Sequence, residues 1–132
     1  MAYLKPPGFV RHLFNPLVMK LGISGTWTLA VRGRTSGEEQ TIPVIPVERD
    51  GVKYVVSTRG ESEWVRNARA TGAVELRRKG VATRYAVREV PVEERAPIIE
   101  EYRAVAGKTV ATYWKQLPDP ADHPTFALTP AG

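Results

Sequence analysis

Cysteine is absent from the 132 residues, which excludes disulfides, thiolate nucleophiles and cysteine-held metal together. Histidine is nearly as scarce. His12 and His123 stand far apart, so an imidazole metal cluster is not expected. No apolar run approaches the ~20 residues that a bilayer-spanning helix needs. The opening MAYLKPPGFVRHLF has neither the apolar core nor the small-residue cleavage site of a secretory leader, so the expected location is the cytoplasm. G-x-S-x-G, the Walker A loop and G-x-G-x-x-G are also missing, and hydrolase, P-loop and Rossmann chemistries lose their anchors with them. Glu93–Glu94 and Glu100–Glu101 read as solvated helix faces, leaving no carboxylate pair spaced for acid–base work.

What the chain has instead is positive charge. Lysine and arginine number 19 against 14 acidic residues, a formal net charge of +5, which favours anionic partners: a phosphorylated cofactor, a nucleic acid or an acidic membrane surface. Nucleic acid is not expected, because the aromatic platform that single strands stack on is lacking. The length suits one domain, residues 1–132, with a helical segment over 1–22 and a barrel with helices over 23–132.

Periodicity fills in the elements. Phe9, Leu13, Phe14, Leu17, Val18 and Leu21 form one helical stripe that Pro16 interrupts. That stripe could pack on the barrel, wall an apolar acceptor together with Trp27, or touch a membrane surface. Trp27, Leu29 and Val31 alternate as the buried face of a strand. QTIPVIPVER carries Pro43 and Pro46, so it should be an edge strand, a bulged segment or a strand exposed at a barrel rim. Asp50–Gly51 signals a tight turn into VKYVVST. ESEWVRNARATG reads as a short helix from Ser62 to Gly72, and AVELRR and VATRYAVREV as strands joined by Lys79–Gly80. A helix is expected from Pro91 to about Ala106, burying Val92, Ile98, Ile99 and Tyr102, followed by a short helix in VATYWKQL and a last strand in TFALT. Five or six clustered strands with three or four helices argue for an α+β, mainly antiparallel barrel or sheet.

Two segments concentrate chemistry. In VRGRTSG, Gly33 and Gly37 can turn backbone amides towards an anion, Arg34 can grip phosphate in a bidentate fashion, and Thr35 and Ser36 add hydroxyls; a solvated hairpin loop is the plainer alternative. In VVSTRGESEWVRN, a strand end meets a helix N-terminus, where free amides and positive potential gather beside Arg59. Trp64 could be core or a planar wall, with Asn67 three residues on.

At these segments the chain resembles the deazaflavin-dependent nitroreductase family of actinobacteria, which uses coenzyme F420 on a split β-barrel. The matching residues are GRTSG (33–37), Pro43, DG (50–51), STRG (57–60), Trp64 with Asn67, and the closing HPTFALTP. The resemblance implies an F420-dependent oxidoreductase with a mainly antiparallel split barrel, an N-terminal helix and peripheral helices; F420 is favoured over FMN. It implies that Gly33, Arg34, Thr35, Ser36 and Gly37 hold the cofactor's phosphate and glutamyl tail. Pro43 and Val44 would lie along the ring or its linker, and Thr58, Arg59, Gly60, Trp64 and Asn67 would complete the cradle. The deazaflavin carries the hydride itself, and the acceptor would be small and apolar or aromatic, such as a quinone or nitroaromatic. Tyr113 and Tyr102 are the candidates should a proton donor be needed. A homodimer is consistent with pairing in related split barrels, and binding of F420 or another phosphorylated ligand without turnover is the alternative function. Glu61 replaces a family glycine and sets a carboxylate beside the expected anion site, and Gln40 replaces a family arginine.

Overall fold

Alternation of apolar and polar residues from Trp27 onwards builds strands, and the computed structural model, which describes residues 26–131, has seven of them. The N-terminal stripe lies outside the described residues. In chain order come β1 (Trp27–Arg32), β2 (Glu39–Val44), β3 (Val47–Arg49), β4 (Val52–Val56), α1 (Glu63–Thr71), β5 (Ala73–Arg78), β6 (Val81–Glu89), α2 (Ala96–Ala106), α3 (Lys108–Gln116) and β7 (Thr125–Pro130). The strands form one antiparallel sheet in the order β2-β1-β5-β6-β7-β4-β3. β2 and β3 are thus opposite edges of the sheet, yet only Ile45 and Pro46 separate them in the chain. A link that short spans at most about 10 Å, so the sheet must curl until its edges come together. That curl makes the half-barrel.

The expected single strand QTIPVIPVER is therefore two. Pro43 is tolerated in β2 because β2 is an edge, paired with β1 alone, and Pro46 falls at the corner where the chain leaves one edge for the other. The turns at Asp50–Gly51 and Lys79–Gly80 place both residues at positive φ (51° and 80° in each), the geometry that a two-residue hairpin needs to match strand twist.

The pleat sends neighbouring residues to opposite cores. Leu29 and Val31 of β1, Val55 of β4, Val74 and Leu76 of β5, and Phe126 and Leu128 of β7 point into the curl, where Trp64, Val65 and Ala68 of α1 fill the centre. Val56 and Ala127 point the other way and pack with Ile98, Ile99, Tyr102, Val110 and Trp114 of α2 and α3. Gly72 ends α1 in the left-handed conformation (φ 73°), its amide donating to Ala68 O at 2.8 Å. Ser62 occupies the N-cap position of α1, but its hydroxyl makes no capping bond.

The helix expected from Pro91 starts instead at Ala96, after a 3-10 turn over Val92–Glu94. Pro97 explains the shift: a proline is accepted in a first turn but would break an α-helix that had begun six residues earlier. Val92, expected to be buried, is consequently exposed at 43%.

Candidate functional site

The loop from Gly33 to Gly37 holds itself together. Gly33 N donates to Glu38 O at 2.7 Å and Gly37 N to Gly33 O at 3.0 Å, while Glu38 N donates to Ser36 Oγ at 3.1 Å. A Cβ on Gly33 would stand 2.8 Å from Ser36 Oγ and 3.1 Å from the Glu38 carbonyl oxygen, so a larger residue there would force Ser36 to turn away and the Glu38 carbonyl to shift. Gly37 supplies the positive φ of 75° that closes the turn. The amides of Gly33 and Gly37 are thereby committed inside the loop rather than presented to an anion. Arg32 is a tie as well, its Nη1 donating to Gly37 O at 2.7 Å.

Arg34 points the other way, across to α1. Asn67 receives it: Oδ1 accepts from Arg34 N at 3.0 Å and from Arg34 Nη1 at 2.8 Å. Asn67 Nδ2 in turn donates to Gln40 Oε1 at 2.9 Å, which fixes the orientation of the Asn67 amide. Asn67 is only 5% exposed, so it is a positioning residue that fastens loop, β2 and helix into one unit. The guanidinium then reaches Glu63, with Nη1–Oε2 at 3.1 Å and Nη2–Oε1 at 3.4 Å. This hydrogen-bonded cation holds the Glu63 carboxyl below the usual range. Gly33, Arg34, Thr35, Ser36, Gln40 and Asn67, with the acids Glu38, Glu39 and Glu63, line an open depression of about 320 Å³.

Glu61 does not enter that depression. Its side chain turns inward, where Arg69 Nη1 donates to Oε1 at 2.7 Å and Nη2 to Oε2 at 3.2 Å. Arg69 also holds Glu89, and Arg95 reaches Glu89 Oε2 at 3.2 Å. Arg69 therefore keeps the Glu61 carboxyl below its ordinary range despite burial. The carboxylate that meets the loop arginine is Glu63. Its spacing from Asn67 was the available signal, since positions i and i+4 share one helix face.

The second segment gathers elsewhere. Ser57 Oγ donates to Gly60 O at 2.7 Å, shaping the turn in which Gly60 adopts φ 80°. His123, fully buried, sets its ring nitrogens 2.8 Å from Ser57 O and 2.6 Å from Leu117 O, and stacks on Trp114 with centroids 3.9 Å apart. It thereby pins the 57–60 turn to the end of α3. Thr58 and Arg59 are half-buried there. Arg59 Nη2 donates to Tyr113 Oη at 3.2 Å, and its guanidinium lies 5.4 Å from the centre of that ring. Tyr102 is 5% exposed, and burial pushes its phenol up, which makes it a weaker acid.

Of the residues expected at the site, Gly33, Arg34, Thr35, Ser36 and Asn67 come together, with Gly37 closing their loop. Thr58, Arg59 and Gly60 form a separate cluster with Tyr113 and do not line the depression. Pro43 and Val44 sit on the β2 edge opposite Thr28 and Trp27. Trp64 lies in the barrel core, 7% exposed and 5.8 Å from the Phe126 ring centre, as the core alternative had it. Trp27 is half-buried, with Arg78 5.3 Å and Lys53 5.9 Å from its ring.

A profile of the F420H(2)-dependent quinone reductase family matches residues 9–117. The chain belongs to that family. This reductase is accordingly an oxidoreductase with F420 as its cofactor. Solved structures share its fold. One described as an F420-H2 dependent reductase is 21% identical with a TM-score of 0.59, covering 80% of this chain and 95% of its own. A FAD-binding protein from Mesorhizobium loti is 18% identical with a TM-score of 0.57 over 85% of this chain and 83% of its own. A structure described as a domain-swapped dimer is 20% identical with a TM-score of 0.60 over 95% and 100%. No curated protein matches the chain in sequence. The mainly antiparallel split barrel expected from the deazaflavin resemblance is the fold these structures share.

Proposed function

We propose that this reductase passes a hydride between F420 and a small apolar or aromatic acceptor of the quinone or nitroaromatic kind, and that the Gly33–Gly37 loop holds the cofactor's anionic end. The observation that carries this is the aim of Arg34. Arg34 is fixed at its backbone amide and its guanidinium by one buried side-chain amide, Asn67, and its outer fork is already filled by a carboxylate. A site that accepts one anion in that geometry suits another, phosphate or glutamate, because a guanidinium fork matches both.

Arg34, Thr35 and Ser36 would grip the phosphate and glutamyl tail, with Gly33 and Gly37 shaping their loop. Asn67 acts through Arg34, and Trp64 acts by seating α1, since its ring is packed in the core. Pro43 and Val44, on an edge strand next to the loop, would border the ring or its linker. Bound F420 supplies the hydride chemistry. Should the acceptor need a proton, Tyr113 is better suited than Tyr102. Arg59 donates to its oxygen, which leaves the phenol hydrogen free to be given away and a cation beside the oxygen once it has gone. Thr58 and Gly60 hold the turn that presents Arg59. A single domain over residues 1–132, a cytoplasmic location and pairing into homodimers complete the reading; no helix among the described residues is long and apolar enough to cross a membrane.

Arg34→Ala tests the site. Loss of charge-assisted hydrogen bonds worth about 1.5–3 kcal/mol should weaken F420 binding about 10- to 150-fold without changing the melting temperature by more than a few degrees. Unchanged F420 affinity in Arg34→Ala would remove the basis of the proposal.

A further inference from the structure

We infer that Glu63 is an internal competitor for the anionic tail of F420, its carboxylate standing where the cofactor's phosphate or glutamate would meet Arg34. The inference rests on the functional reading above and adds a residue that sets how strongly, and for which charge, the site selects. Both guanidinium nitrogens of Arg34 that face outwards are engaged by Glu63, Nη1 with Oε2 at 3.1 Å and Nη2 with Oε1 at 3.4 Å. Two parallel contacts of that kind are how a guanidinium also receives phosphate. Asn67 holds Arg34 from behind through Oδ1, so the outer fork is the part of Arg34 that an incoming anion can reach.

The other three acids near the loop, Glu38, Glu39 and Glu61, are disposed differently. Glu38 lines the rim without a bond to Arg34. Glu61 is turned inward and neutralised by Arg69. Glu39 is bound by Arg77 and lies on the β2 edge. Of the acids lining the depression it is Glu63 that pairs with Arg34, and that pair is shallow, with side chains 57% and 32% exposed. Exposed pairs of this kind are weak, which is what exchange demands: the carboxylate can swing into water on the first turn of α1 when a stronger anion arrives. A ligand with a single weak charge gains little by displacing it. A tail carrying phosphate and carboxylates together gains more, so Glu63 tilts the site towards polyanionic ligands.

Glu63→Gln removes the competing charge and one of its two acceptor oxygens while keeping the shape of the side chain. Fluorescence titration with oxidised F420 should show affinity rising about two- to fivefold, the range that an exposed ion pair supports, while a deazaflavin truncated before its phosphate should bind wild type and variant alike. Glu38→Gln takes the same charge from the rim of the depression and should change F420 affinity by less. Affinity unchanged or weakened in Glu63→Gln, with F420 still bound by the wild type, would overturn the inference: the carboxylate would then be idle or would serve to preorganise Arg34. Equal tightening by Glu38→Gln would also overturn it, by reducing the effect to general charge. Failure of the wild type to bind F420 at all would instead sink the functional reading, and this inference with it.

Discussion

Truncating Asn67 to alanine deletes three hydrogen bonds at once, to the Arg34 amide, the Arg34 guanidinium and the Gln40 amide. Each neutral bond contributes about 0.5–1.5 kcal/mol net, and one to a charged group more. The Arg34 side chain is 32% exposed, so water replaces part of what it loses. The expected cost is about 2–3 kcal/mol of stability. At this chain length that lowers the melting temperature by roughly 6–15 °C. The effect on ligand binding is separate. With Asn67 gone, Arg34 must be immobilised during binding, which costs about 0.5–1.5 kcal/mol and weakens F420 affinity about 2- to 12-fold. The decisive assay is a double-mutant cycle on binding, with Arg34→Ala, Asn67→Ala and both together. Because Asn67 acts through Arg34, the double variant should bind F420 as Arg34→Ala does. Losses that simply add would refute the positioning role and make Asn67 an independent contact.

Two further perturbations separate core from site. Trp64→Ala should cost about 3–5 kcal/mol by opening a cavity against Phe126, whereas Trp64→Phe should keep F420 affinity within twofold (about 0.4 kcal/mol); a large loss of binding in the phenylalanine variant would return Trp64 to the cofactor wall. Glu61 is held below its ordinary carboxyl range by Arg69, so it contributes stability that is fully present above that range and lost as pH falls through its folded value. Urea denaturation as a function of pH should therefore show a flatter acid limb in Glu61→Gln than in the wild type, and Arg69→Ala, which strands a buried carboxylate, should cost about 1–3 kcal/mol at neutral pH.

Much of the architecture was legible because short-range chemistry decides it. Asp50–Gly51 and Lys79–Gly80 announce their hairpins, and Gly72 announces the end of α1. The alternation in WTLAVR fixes which side chains face the core, and Gly37 of the GRTSG loop supplies the positive φ that closes its turn. What was not legible depends on distant partners. Nothing local in QTIPVIPVER says that its two halves sit on opposite edges of the sheet; that follows only from where β1 and β4 find their other neighbours. Pro91 offers a local helix-start signal, but Pro97 offers the same signal six residues later and would break a helix begun at the first. Glu61 looked like a threat to an anion site because its sequence neighbours are the site. The residue that neutralises it, Arg69, stands two helical turns on, in a network completed from β6 and the start of α2. Arg59 and Tyr113 meet across 54 positions, and His123, which holds that meeting together, opens the closing HPTFALTP stretch, where nothing local says what its ring nitrogens will meet.

The central claim is that the arginine loop takes the anionic end of F420, and titration of the purified protein with oxidised F420, beside FMN as a control, addresses it most directly. The account predicts saturable binding of F420, weakened by rising salt as an anion-held ligand should be, and no comparable binding of FMN. Binding of neither, or of FMN in preference to F420, would contradict it.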